Sequence, residues 1–443
     1  LDYRRSCLVN RPGNFHPRRT LGMESRRLRG ASPRYQGGSV RRHKPDYWLM
    51  VLGALLLVLG LIVVYSISPG LSASAQTSQS YFIVKQLIDV TLGVAAFCLA
   101  AYLPASFWQK AAKPLAGLAI VGSLLVMATP VDAIYQAHRW IRLGGFSFQV
   151  AELIKLALLV GLSDFLAVRW RQGKLADFKA TLKPLIILLL TIGAVVAKLQ
   201  SDLGSAGVMI AMMILMAFVA GIPLKKAAAI GGLIILLVAI LVVSTPYRRE
   251  RLTTFLHPQT NCQTTGYQAC QALISVGSGG VLGLGLGHSV QAYGYTPEAS
   301  NDSIFSIMAE QFGFVGTLLI MVIYGAFITR LKRIAERTAD PFSRLLVIGV
   351  MAWLSTQMII NVGAMIGLLP LKGITLPLIS QGGTSLIFLT AALGIVFQIS
   401  RYTSYSVTEP RSGVNEAIDT NYSFDGRGNR RPHNPSLVAR PRA

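Results

Sequence analysis

Hydrophobic residues along this chain come in long runs separated by short polar breaks. Ten runs can be marked, at about 47–68, 83–103, 114–129, 151–168, 184–199, 204–221, 227–245, 303–328, 345–367 and 385–401. About 20 apolar residues in a helix cross a ~30 Å hydrocarbon layer, and the alternating pattern of a membrane β-barrel strand is missing. The pattern predicts an all-α polytopic membrane protein with about ten transmembrane helices over residues 47–402. Two connections, Gln200–Leu203 and Ile222–Lys226, are too short to fold alone. One is long: residues 246–302, between the seventh and eighth helices.

Charge orients the bundle. The 443 residues are 52% hydrophobic and 14% charged, with a formal net charge of +23. Residues 1–46 hold about a dozen Arg and Lys in a Pro-, Gly- and Ser-rich context without apolar periodicity, which predicts a disordered tail. A basic cytosolic tail beside an anionic leaflet is the better reading than a nucleic-acid arm, and no signal peptide is recognisable. The chain begins at Leu1, and Met23 is an alternative start. With the N-terminus inside, alternate loops collect the cations: Lys110 and Lys113; Arg169, Arg171, Lys174, Lys179 and Lys183; Lys225 and Lys226; Arg330, Lys332, Arg333 and Arg337. The tail 403–443 adds Arg411, Arg427, Arg430 and Arg431. Cytosolic loops are the cation-rich ones, so both termini are expected to be cytoplasmic and the 246–302 loop extracytoplasmic.

That orientation leaves a few cations on the outer side: Arg139, Arg142, Lys198, Arg248, Arg249, Arg251 and Lys372. Lys198 and Arg142 read as interfacial snorkelling. The Arg248–Arg251 cluster reads better as structural pairing or as a site for an anionic ligand such as a lipid phosphate. Six isolated histidines and four scattered cysteines give no zinc spacing. Cys98 lies in an apolar run and is expected in the core. Cys262 and Cys270 share the long loop and can pair on the oxidising side.

Carboxylates at membrane depth face a partner or a cavity. Glu152 and Lys155, three apart, suit a local ion pair. Asp202, before Gly204, suits a helix N-cap. Asp302, in "PEASNDSIF", suits a cap too. Counted on a helix, however, it shares a small polar face with Ser306, Ala309 or Glu310, and Gly313. That phase predicts a carboxylate opening onto a polar groove at the outer surface, placed for general-base work. The run "GSGGVLGLGLGHS" fits no phosphate-loop spacing and reads as tight loop packing or close backbone approach by a substrate. "LPLKGITLPLISQGGTS" is broken backbone of the kind tolerated where it is buried or lines a cavity.

Four blocks, in order, resemble the SEDS family (shape, elongation, division and sporulation) of bacterial membrane proteins. They are "RWIRLGGFSFQVAELIKL", "QSDLGSA", "YRRERLTTFLHP" through "PEASNDSIFSIMAEQFGFVG", and "NVGAMIGLLPLKGITLPLISQGGTS". The form "KGIT" favours the FtsW subgroup over RodA. Val150, Ser201, Ser303, Gln311 and Gln381 depart from the family's usual residues and mark a divergent lineage. The resemblance implies a peptidoglycan glycosyltransferase that polymerises lipid II outside the cytoplasmic membrane and releases undecaprenyl pyrophosphate during septal wall synthesis. It implies Asp302 as catalytic base. Arg139, Arg248, Arg251, Lys372, Glu298, Gln268 and Ser380 become candidates for contacting lipid II and its pyrophosphate, with Glu152, Lys155, Asp202 and Glu310 in support. No cofactor is built in, although a Mg or Mn ion can accompany the pyrophosphate. The implied partners are a class B penicillin-binding protein, other divisome membrane proteins and membrane lipids, with no nucleic acid. The implied place is the bacterial inner membrane at the septum. A lipid II flippase and a non-catalytic divisome scaffold are the alternatives. A transporter would place its charged site near the midplane, often with internal repeats, and no convincing repeat is visible.

Overall fold

The computed structural model describes residues 43–128, 139–143, 146–223, 246–256, 262–264 and 266–403, with Lys226, Gly231, Gly232 and Val243. The basic segment 1–42, almost all of the expected span at 227–245, and the tail from 404 lie outside the described residues. Asp46 accepts the Leu49 amide at 3.3 Å and so starts α1 (Tyr47–Ala75). This helix continues through Pro69, beyond the apolar run, because hydropathy marks where lipid ends and not where the helix does. Next come α2 (Tyr81–Tyr102) and α3 (Ala105–Ala128). A hairpin follows, β1 (Trp140–Leu143) pairing antiparallel with β2 (Phe146–Gln149), Trp140 opposite Gln149. It is a small addition to the expected all-α fold.

Then come α4 (Val150–Arg171), α5 (Lys183–Ile192) with π-helical turns on both sides, and α6 (Leu203–Ala220). The long connection carries α7 (Pro246–Leu256) and α8 (Tyr267–Ser278). The chain ends in α9 (Ile304–Arg337), α10 (Pro341–Met365) and α11 (Gly383–Ser400). Among the described residues, eight helical segments are long and apolar enough to cross a membrane: α1, α2, α3, Phe178–Ala197, α6, α9, α10 and α11. α4, at 22 residues, has the length of a span but carries Glu152, Lys155, Asp164 and Arg169.

The centre is built on α10. Leu346, Val347, Val350, Trp353 and Leu354 are fully enclosed, against Leu159 of α4 and Met209, Met212 and Met216 of α6. Small residues let the backbones approach. A Cβ on Gly394 of α11 would lie 2.3 Å from the Phe97 carbonyl oxygen of α2. Because α2 presents that face to α11, Cys98 points away from the bundle and is exposed, not in the core as expected.

The two ends of the bundle differ. One gathers the Arg330–Asp46 pair (3.7 Å), the Arg171–Asp340 pair (3.2 Å) and Arg401. The other gathers the hairpin, the turn at 200–202, the segment 266–303 and the helix-free stretch 369–382. The charge pattern assigns this second end to the outside.

Candidate functional site

Asp302 lies in the turn before α9 and not on the helix. The cap position is Ser303, whose side chain makes no cap bond. Asp302 is half-buried and held by its backbone: Asn361 of α10 donates from Nδ2 to the Asp302 carbonyl at 2.7 Å. The same amide nitrogen donates to the Ile374 carbonyl at 2.6 Å. Asn361 thus ties the Asp302 turn to the 369–382 stretch. On that stretch, Gly373 (φ 60°) brings its backbone beside the carboxylate. A Cβ there would lie 3.3 Å from Asp302 Oδ2. Lys372 is the adjacent residue and is half-buried.

The stretch 369–382 has no helix or ladder to satisfy its backbone, so side chains do it. Gln357 donates to the Thr375 carbonyl and hydroxyl, both at 3.1 Å. Fully buried Tyr324 donates its hydroxyl to the Pro377 carbonyl. Gln381 donates to the Phe82 carbonyl at 2.7 Å, and its amide donates to the Ser300 carbonyl at 2.9 Å. Ser380 is buried and accepts the Leu376 amide at 2.7 Å, a local brace.

A second support comes from α6. Asp202 caps it, as expected, accepting the Ser205 amide at 2.9 Å, and also accepts from Gln149 at 3.0 Å. Gly204 brings that helix start under the Lys372 carbonyl oxygen, 3.0 Å from where a Cβ would be. Arg139 donates to the Gln200 carbonyl at 3.1 Å and to the Ser201 carbonyl, bracing the turn before Asp202. The turn that Arg139 braces, the start of α6 at Gly204, the Lys372–Gly373 backbone and the Asp302 carboxylate therefore follow one another in space. Gln268 of α8 joins from the other side, donating to Ser303 Oγ at 3.2 Å.

Other expected site residues sit elsewhere. The polar face Ser306–Glu310–Gly313 exists, but it opens onto no groove, because α8 and the loop after it cover it. Glu310 is 1% exposed, and its carboxylate accepts from Ser289, from Ser275 at 3.3 Å, and from the Val290 and Gln291 amides at 3.0 and 3.4 Å. It clamps the loop to α9. Glu298 is exposed in the preceding turn at φ 52° and accepts from Asn301. Glu152 and Lys155 form the expected pair at 2.7 Å, 3% and 1% exposed, with Lys155 over the Trp353 ring. Trp353 in turn donates to Gln357 at 2.8 Å, linking the pair to the Thr375 brace. Arg248 and Arg251 fall on α7, and their side chains lie outside the described residues. The disulfide joins Cys262 to buried Cys270 at the start of α8.

Comparison with known proteins places this architecture. The family model of the FtsW, RodA and SpoVE cell cycle proteins matches residues 47–405. The chain belongs to the SEDS family. The probable peptidoglycan glycosyltransferase FtsW of Thioalkalivibrio sulfidiphilus is 38% identical over 362 residues, 81% of this chain and 90% of its own. The stage V sporulation protein E of Bacillus subtilis is 34% identical over 369 residues, 83% of this chain and 100% of its own. A chain from a peptidoglycan synthase complex, solved to describe how polymerization and crosslinking are coordinated, has the same fold. Its TM-score is 0.66 at 27% identity, over 81% of this chain and 99% of that one.

This SEDS chain is thus an all-α, multi-pass membrane protein. The sequence reading missed Asn361, Gln357 and Tyr324, the donors that hold the site's backbone. Asn361 opens the block "NVGAMIG", so the signal was its presence at the head of a motif. Among the described residues, no group of three His, Cys, Asp or Glu is arranged to hold a metal ion.

Proposed function

We propose that this protein is a septal peptidoglycan glycosyltransferase, polymerising lipid II at the outer face of the bacterial cytoplasmic membrane. The observation that carries the reading is the half-buried carboxylate of Asp302, on a turn tied to α10 and facing the Gly373 backbone beside Lys372. The names of the FtsW relatives support the reaction class and the septal role.

In this reading Asp302 takes the proton from the acceptor sugar's 4-hydroxyl as that oxygen attacks the donor's anomeric carbon. The bond from that carbon to the pyrophosphate oxygen breaks, and undecaprenyl pyrophosphate leaves. We assign Lys372 and Arg139 to stabilising the developing charge, together with Arg248 and Arg251 of α7. We assign any Mg or Mn ion to the substrate's pyrophosphate. A class B penicillin-binding protein fits as partner, because the structural relative comes from a complex that couples polymerization with crosslinking.

The test is reconstitution with a partner transpeptidase and labelled lipid II. Wild type forms glycan chains, and Asp302→Asn, at equal folded yield, forms none. Full polymerisation by Asp302→Asn removes the base assignment. Lipid II translocation without polymerisation replaces the transferase with a flippase.

A further inference from the structure

The run Val281–Leu286 alternates large apolar residues with glycine, and its side chains point outward. Val281, Leu282, Leu284 and Leu286 are 65%, 81%, 45% and 47% exposed. Four such side chains in water would be an unusual surface for a folded loop. Their backbone is not loop-like either. It is bonded to α9 where that helix breaks at Gly313 (φ 65°, ψ −167°). The amides of Leu284 and Gly285 donate to the carbonyls of Glu310 and Gln311 at 2.9 and 3.0 Å. In return, the amides of Phe314 and Val315 donate to the carbonyls of Gly280 and Val281 at 2.9 and 3.1 Å. Gly283 donates to the Gly279 carbonyl at 2.8 Å. The two chains meet glycine to glycine: a Cβ on Gly313 would lie 2.3 Å from the Gly283 nitrogen.

This bonding pairs the amides of Gly283, Leu284 and Gly285 and the carbonyls of Val281 and Gly285, which lowers the cost of bringing a non-helical segment to the hydrocarbon margin, where each unpaired backbone group is costly. The depth agrees. Arg330 is the first of the cations that end α9. Counting back about 20 residues, the thickness of the hydrocarbon layer, reaches Glu310. The residues to which the run is bonded therefore lie at the outer margin of the hydrocarbon. Just below them Phe314, Val315, Leu318, Leu319 and Val322 are 51–65% exposed, the lipid-facing stripe of α9. The loop's apolar side chains continue that stripe.

We propose that Val281–Leu286 is a lipid-inserted finger, its side chains lodged among the acyl chains of the outer leaflet. Glu310 holds Ser289, Val290 and Gln291 from the same helix turn that holds the finger. The finger thereby sets the height of the 289–303 segment, and of Asp302, above the membrane. The lipid contact does not depend on the catalytic reading of Asp302.

The test is nitroxide depth measurement on the full chain in nanodiscs of phosphatidylethanolamine and phosphatidylglycerol. The background is Cys7→Ser with Cys98→Ser, the Cys262–Cys270 disulfide being kept intact. Labels go on Leu282→Cys, on Leu284→Cys, on Leu319→Cys as lipid reference and on Tyr295→Cys as aqueous reference. The finger labels should collide several-fold more with oxygen than with an aqueous nickel chelate, matching Leu319. Nickel accessibility equal to that at Tyr295 overturns the proposal. So does protection from both reagents, which would mean that a protein partner covers the run. Leu282 is 81% exposed, so its substitution leaves folding intact, and the Leu284 label repeats the reading independently.

Discussion

Asn361 is the residue on which the site's shape turns. Its side-chain amide serves two backbone carbonyls, of Asp302 and Ile374, from a helix that neither belongs to. Removing it strands both acceptors, and a buried polar group without a partner costs about 1–3 kcal/mol. We expect Asn361→Ala to lower both the polymerisation rate and the thermal midpoint. The carboxylate keeps its chemistry but loses its address. Asn361→Leu should behave alike, because the loss is of the donor and not of volume. A variant with normal stability and normal turnover would mean that the Asp302 turn is held by other contacts. Asp302 itself was legible in the sequence, as an acid at the outer end of an apolar run. Its ties were not, because they come from Asn361, 59 positions away, and from Gly373, 71 positions away.

At the scale of elements, α9 is two helices joined at Gly313, with the finger bonded across the break. The reading of helical phase from Asp302 through Gly313 assumed one regular helix beginning at Asp302. The helix begins two residues later and is interrupted at Gly313, so the phase gave the right polarity and the wrong exposure. Apolar runs were legible because bilayer thickness is written into their length. The covering of Ser306 and Glu310 by α8 was not, since it depends on contacts between residues about 20 to 35 positions apart. Glu310 is the clamp in that cover. Glu310→Ala should leave the spans intact and loosen the 285–295 segment, read as faster amide hydrogen exchange there and easier proteolysis. Glu310→Gln should retain part of the protection, since an amide oxygen still accepts. Unchanged exchange in Glu310→Ala would mean that the backbone bonds to the finger hold the loop alone.

At the scale of the molecule, residues 43–46 meet residues 400–403 at the basic end of the bundle. His43 contacts the Thr403 carbonyl at 2.7 Å, and the Asp46 amide donates to Ser400 at 3.0 Å. Removing residues 1–41 should therefore move the thermal midpoint by less than about 2 °C, the shift that ~0.5 kcal/mol gives in a sizeable domain. A larger drop would assign the basic segment a part in folding. The opposite end is assembled on another principle. Arg139, Tyr324, Gln357, Asn361 and Gln381 all reach main-chain carbonyls, of Gln200, Ser201, Pro377, Thr375, Asp302, Ile374 and Phe82. A scaffold that grips the backbone does not read the side chains it carries. Side chains on the loops can change over evolutionary time while Arg139, Tyr324, Gln357, Asn361 and Gln381 keep the frame. Diversity of substrate can then accumulate on the loops without the fold being renegotiated each time.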